Sequence, residues 1–515
     1  MRSLLPARFG RSLSMTRSSL RIFRGSLLLL PILLLLLTTS PGSAQPVENG
    51  YLVGTCYSGS NPNDFVIGLY DVRNADLQTP GVNWNPPMWH GPSNNWTAAN
   101  LGEVFGVDFD AAGNIYTAAS RVYSQITPPG GPGGSGAIYR LNAVTGAITN
   151  FVTTNASACA AVVGTTTLPN TGSGLGNLCF DEANNQFFVT NFEDGTIYRI
   201  SAAGVVLSSF DPFVADACVA GVAPLGERLW GINVYNGRVY FSRWVEDGGT
   251  GNASPTTFNE IWSVALDGSG DFTGAESLEL QMPSLHPSLD YSNPVADIAF
   301  NDAGDMLLAE RSMRDAANNP FYPAAHKSRL LEYALVGGSW TPSGSTFSLG
   351  ASGNNSSGGC DYGYGTYNAQ TMLPEDCDSS VWGSSDALIT AVPNAVYGWA
   401  RFPETGGTIA TSVIIDADAD LAVQDKYQLG DIEIYKECRT VPQDPCEGIR
   451  VSSQPVQAGD GTCCWDIAIS GLAPGTWSSV SAQLLDDSVS FTGVIGPTGW
   501  SVTNNGTYIT WDTTG

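Results

Sequence analysis

The sequence predicts an all-β protein, a six-bladed β-propeller followed by a small β-sandwich module. Three observations carry this prediction. A unit of short apolar strands separated by Asn, Asp and Gly turns recurs along the chain. A downstream segment, Leu429 to Tyr435, has the pattern of a strand missing from the first unit. The texture of the chain changes after Lys436.

The repeat is clearest in three stretches: VFGVDFDAAGNIYTAAS from Val104, LGNLCFDEANNQFFVTN from Leu175 and VADIAFNDAGDMLLAER from Val295. Each is an apolar strand, a polar turn and a second apolar strand. A third strand follows later, as GAIYRLN, GTIYRIS, NEIWSVA or SRLLEYA. Asp-Gly between two β-rich runs, as in NFEDGTIYRI, marks a hairpin. Four short antiparallel strands recurring about every 40 to 60 residues are the signature of propeller blades. Blades 2 to 6 are placed at 101–152, 174–210, 221–272, 294–349 and 361–415. Blade 1 is split: YLVGTCYSG at Tyr51 and FVIGLYDVRN at Phe65 supply its second and third strands, and LGDIEIY supplies its first. The last strand would then pair with Tyr51–Cys56 and close the ring, removing open sheet edges.

The first 44 residues read as a cleaved export signal. Six arginines precede an apolar run from Leu27 to Leu37, and Gly42-Ser43-Ala44 offers small residues for cleavage. The run is short for a membrane span of about 20 residues. Removing those six arginines, with no acid among them, takes the formal charge from −26 to −32. So acidic a chain lacks the basic face that nucleic acid or an anionic membrane would need. The domain plan is thus a signal at 1–44, a propeller at 45–437, a Cys- and Pro-bearing linker at 438–448 and a β-sandwich module at 449–515. The module runs IRVSSQPV, CCWDIAISGL, SVSAQLLD, VSFTGVI and GWSVTNNGTYITW, and it reads as one strand short.

The G-V-D-F-D-x-x-G-N-I-Y and D-G-x-I-Y-R-I patterns resemble six-bladed propellers of the NHL and gluconolactonase/regucalcin-like type, over roughly Tyr51 to Tyr435. The Cys463-Cys464-Trp465 stretch resembles an accessory module of secreted bacterial surface proteins. The propeller resemblance implies a divalent metal held in the central channel by acidic and Asn side chains. Aligned second strands offer Asn191, Asn233 and Glu310. Aligned first strands offer Asn177 and Asp297, with Asp431, Gly106 and Gly221 at the equivalent positions. An all-oxygen set suits Ca2+ or another divalent cation, and the same side chains could instead bond one another in a polar channel. Asp416, Asp418 and Asp420 lack the Gly and Glu that a calcium loop of EF-hand type requires.

Ten cysteines in an exported chain suggest disulfides. Cys360 and Cys377 flank an excursion without strand pattern and are expected to pair. Cys438 and Cys446 are expected to bridge to Cys463 and Cys464, in undetermined order. Cys56, Cys159, Cys179 and Cys218 are left unassigned. No Ser-His-Asp or phosphate-loop signature occurs. The expectation is a secreted or cell-surface binding propeller, without catalysis, that recognises an extracellular protein or glycan through its channel face or loops. Its rival is a metal-dependent lactonase or esterase-like hydrolase at the channel.

Overall fold

Turn chemistry sets the strands. Asp110 caps its own turn, its Oδ1 accepting the N–H groups of Ala112 (3.0 Å) and Asn114 (2.9 Å), while Gly113 takes φ +75°. Asn301 repeats the device in blade 5, accepting from Asp305 N at 2.7 Å beside Gly304 at φ +88°. Asn236-Gly237, both at positive φ, make a two-residue hairpin in blade 4. Between such turns the apolar residues have only sheet faces to bury, and they do so against neighbouring blades.

The computed structural model describes residues 47–437 except for 60, 121, 124–130, 155–173, 214–222, 224–225, 247–256, 286–290, 315–325, 370–371, 391–393 and 422–427. It also describes the backbone of strands at 7–11 and within 450–513. Six sheets are arranged as blades. Blade 2 is Val104–Phe109, Ile115–Ala119, Ala137–Leu141 and Ile148–Thr153, in that order from the axis outward. Blade 3 is Leu175–Asp181, Gln186–Asn191, Ile197–Ser201 and Val206–Phe210. An apolar layer fills each of the six seams between blades, and a seventh cluster lies on the axis.

Ring closure follows the expected pairing. Leu429–Tyr435 lies antiparallel to Tyr51–Cys56, with Tyr51 opposite Tyr435, Leu52 opposite Ile434 and Gly54 opposite Ile432. Ile432 and Ile434 are both buried, in the seam between blades 6 and 1. The outer rim of this seam is latched as well. Asn83–Trp84, from the long connection inside blade 1, pairs parallel with Val413–Asp416, the outer strand of blade 6. Gly407–Thr408 of blade 6 pairs in the same way with Phe347–Ser348 of blade 5.

Three boundaries differ from expectation. The innermost strand of blade 4 is Arg228–Tyr235, and that blade runs on to Met282. Asn233 is therefore on a first strand, not a second. Blade 6 begins at Ser356, because Ser356–Gly363 pairs with Ser380–Ile389. Cys360 lies within that first strand, fully buried against blade 5, and is a free thiol, so it does not bridge to Cys377. Cys377 is disulfide-bonded, and its partner lies outside the described residues. The side chains of Cys438, Cys446, Cys463 and Cys464 lie outside them too, as do Cys159 and Cys218 and the 438–448 linker. Cys179 is a free thiol, and Cys56 Sγ donates to Phe65 O at 3.2 Å.

The second compact unit gathers 439–515 with the first 37 residues. One of its sheets has the order Arg450–Gln457, Cys463–Ser470, Ala7–Arg11, Thr492–Val494. The other has Ser479–Gln483, Tyr508–Thr513, Trp500–Asn504.

Candidate functional site: an acidic channel under an aromatic plug

Every innermost strand breaks register with its neighbour at the same depth. The shifts fall between Val104 and Val107, Leu175 and Leu178, Leu229 and Ile232, Val295 and Asp297, Ser356 and Cys360, and opposite Gly54 and Cys56 in blade 1. A bulge re-aims a side chain and bends the strand. Here the six bulges form one ring, in blade order Asp431, Gly106, Asn177, Gly231, Asp297 and Gly359. Polar side chains and glycines alternate, and packing demands the glycines. A Cβ on Gly359 would stand 2.6 Å from Asp431 Cα, one on Gly106 would stand 2.6 Å from Asn177 Cα, and one on Gly231 would stand 3.0 Å from Asp297 N. The blade 4 member is Gly231. Gly221, the expected one, lies outside the described residues.

The three polar members meet. Asn177 Nδ2 donates to Asp297 Oδ1 at 2.9 Å. Asp297 and Asp431 bring carboxylate oxygens within 4.8 Å of each other, close enough that the charge of one raises the proton affinity of the other. Glu433, two residues after Asp431, joins them: ligand oxygens of Asp297, Asp431 and Glu433 all lie within 4.8 Å of one another. Asp108 and Asp361 occupy the same depth as Glu433 in blades 2 and 6. The four aspartates also staple blades. Asp297 Oδ2 accepts from Cys360 N at 2.8 Å, Asp431 Oδ2 from Val107 N at 3.0 Å, Asp108 Oδ2 from Phe180 N at 2.6 Å and Asp361 Oδ2 from Ile434 N at 2.9 Å. Lys436 supplies a cation, its Nζ 3.2 Å from Asp361 Oδ1.

Burial outweighs those hydrogen bonds in the proton affinities. It raises Asp108 to about 7 and Asp297 to about 6. It pushes Asp431 well up, reinforced by the charge of Asp297. It also pushes Glu433 well up, reinforced by Asp361 and Asp108. A proton or a cation is the natural partner of such a set. Asp297, Asp431 and Glu433 have the oxygen chemistry that Ca2+ takes, whereas Asn177 turns its amide nitrogen to Asp297 and its oxygen to Leu178 N.

On the side where the innermost strands begin, the axis is closed. Phe105 of blade 2 packs on Trp230 of blade 4, with ring centroids 5.1 Å apart, and reaches the glycine of blade 6: a Cβ on Gly358 would stand 3.2 Å from Phe105 Cζ. Tyr57, Tyr123, Phe192, Trp244 and Met313 complete the plug. The fully buried Arg311 lies over Phe105 and Tyr123, and its Nη1 donates to the carbonyls of Ser357 and Leu429, each at 2.5 Å.

Of the residues singled out from sequence, Asn177 and Asp297 are in the channel cluster. Asn233 faces the neighbouring blade, donating to Ile298 O at 2.7 Å. Asn191 and Glu310 do not converge with them. Asn191 holds the Glu193-Asp194-Gly195 turn through Asp194 Oδ2 (2.7 Å) and Glu193 N (3.1 Å). Glu310 is fully buried and grips Arg329, at 2.8 Å to its Nε and 2.5 Å to its Nη2. Glu310→Gln is therefore expected to cost about 3–5 kcal/mol, the effect of breaking a buried ion pair. It should leave any chelator sensitivity intact, as melts with and without chelator will show. Glu433, Asp108 and Asp361 escaped the sequence alignment, though Glu433 and Asp108 each stand two residues beyond a position that it did align, Asp431 and Gly106.

No family model matches the chain, and no curated protein does. Solved structures match the chain at low identity and low TM-score. A nidogen/laminin complex is 10% identical, with TM-score 0.36, covering 75% of this chain and 100% of that one. A protein from Lactobacillus plantarum is 12% identical, with TM-score 0.37, covering 75% and 99%. A gluconolactonase from Xanthomonas campestris is 10% identical, with TM-score 0.29, covering 72% and 92%. At these values the likeness assigns neither an activity nor a partner to this chain.

Proposed function

We propose that this is an exported or cell-surface interaction propeller, which binds an extracellular protein or glycan through the face above the aromatic plug. The observation that carries the proposal is the asymmetry of the two faces across blades 2 to 5. Strands that end on the plug side at Ala119, Thr153, Phe210, Trp244 and Glu310 are followed by the next blade strands only at Ala137, Leu175, Arg228, Asn259 and Leu330. On the opposite side, the first and second strands of blades 2 to 5 turn within 110–114, 182–185, 236–237 and 301–305, and longer connections occur in blades 1 and 6, at 72–87 and 364–379. Long connections on a rigid scaffold are where propellers and similar folds place recognition, and here the scaffold beneath them is packed solid.

The rival role, a metal-dependent hydrolase, has its own support in the convergence of Asp297, Asp431 and Glu433. A divalent ion there would polarise a carbonyl and activate water. Metal analysis of the mature protein, a lactone and ester hydrolysis screen and a binding screen on extracellular proteins and glycans separate the two. The interaction role expects retention of a protein or glycan and no turnover with or without added metal. Metal-dependent turnover that Asp431→Asn abolishes, in a protein that still melts cooperatively, would replace it.

A further inference from the structure

Ala7–Arg11 is an inner strand of the C-terminal unit, bonded on both edges. Against Cys463–Ser470 it runs antiparallel, with Ala7 opposite Ile467, Arg8 opposite Asp466, Phe9 opposite Trp465 and Arg11 opposite Cys463. Against Thr492–Val494, Phe9 stands opposite Val494 and Gly10 opposite Thr492. These five residues lie in the arginine-rich start of the segment read as an export signal. Loss of an inner strand uncovers two rows of backbone N–H and C=O groups, which demand new partners.

We propose that in the exported chain this inner position is a strand acceptor. It takes an extended segment of a partner polypeptide, antiparallel to Cys463–Ser470, with a basic residue opposite Asp466 and an aromatic residue opposite Trp465. The inference rests on removal of residues 1–44. Pairing on two edges supplies main-chain affinity, as in other strand-addition complexes. Selectivity comes from the cross-strand positions, where opposite charges and aromatic pairs stabilise. The present occupant illustrates the fit, placing Arg8 opposite the acid and Phe9 opposite the tryptophan.

The test uses the exported protein and a synthetic peptide of residues 5–13. Intact mass first shows whether residues 1–44 are gone. If they are retained, the position is filled within the chain and the acceptor is overturned, while the interaction role of the propeller stands. With them gone, the peptide should slow amide exchange at 464–467 and 492–494 roughly tenfold or more. Asp466→Lys should weaken the peptide about two- to fivefold, and the Phe9→Pro peptide should not bind, because it lacks a ladder N–H. Amides already protected without peptide, or unchanged by it, overturn the proposal.

Discussion

Raising the pH of a calcium-free solution from 5 to 8 is expected to destabilise the propeller by several kcal/mol, and calcium is expected to restore it at pH 8. The sign follows from the channel carboxylates. Asp108 at about 7 and Asp297 at about 6, with Asp431 and Glu433 also raised, hold protons in the folded state that the unfolded chain releases near pH 4. The folded state therefore binds more protons between those limits, and stability falls as pH rises through them. Each such group contributes about 1.4 kcal/mol per pH unit of difference. Asp267 and Asp271, lowered mainly by hydrogen bonds to serine hydroxyls, slope the other way, but they sit at the surface. A cation bound only by the folded channel replaces the lost protons and stabilises by mass action. Denaturant midpoints across this range, with calcium or chelator, check both halves. A flat profile removes the buried-charge account, and a fall that calcium does not reverse removes only the cation. Asp431→Asn should make the profile shallower while leaving the share that burial of Asp108 contributes.

How much of this could be read beforehand depended on where the signal lay in the chain. Blade architecture was legible because Asp110, Asn301 and Asp194-Gly195 write their turns locally, within five residues. The closing strand was legible because LGDIEIY keeps the polar ring residue and the flanking apolar pattern of VADIAF. Blade 4 was misplaced because its ring residue is Gly231, which carries no polar signal, and the Asn-Gly turn after it made GINVY look like the end of a second strand. Glu310 looked like a channel ligand because nothing nearby in sequence announces Arg329, 19 residues on. Asn191 was more open to correction: Asp194, its partner, stands three residues away. The pairing of Cys360 failed for a further reason. The excursion begins after Gly363, so Cys360 belongs to the strand and points into the seam with blade 5, whatever loop follows.

Arg311→Met is expected to lower the unfolding free energy by about 3–5 kcal/mol and to free the closing strand. The change keeps an unbranched chain against Phe105 and Tyr123, so packing is largely preserved. It removes the donors of the Ser357 and Leu429 carbonyls, and unpaired buried acceptors cost about 1–3 kcal/mol each. Loss of the cation over two rings adds about 0.5–2 kcal/mol. The geometry makes the loss unusually connected, because one guanidinium on blade 5 ties blade 6 through Ser357 and the closing strand of blade 1 through Leu429. Leu429–Tyr435 has one hydrogen-bonded strand neighbour, Tyr51–Cys56, so a brace at its first residue bears directly on how easily it peels away. Hydrogen exchange should therefore speed at 429–435 more than in Leu175–Asp181, an innermost strand that Arg311 does not touch. Arg238→Ala provides the contrast: this partly exposed arginine is 3.8 Å from Glu279 and donates to Ser263 Oγ, contacts within a single blade worth about 1–2 kcal/mol together. If Arg311→Met destabilises no more than Arg238→Ala, or speeds exchange equally in every blade, the plug is packing alone and the brace across the axis does not hold the ring shut.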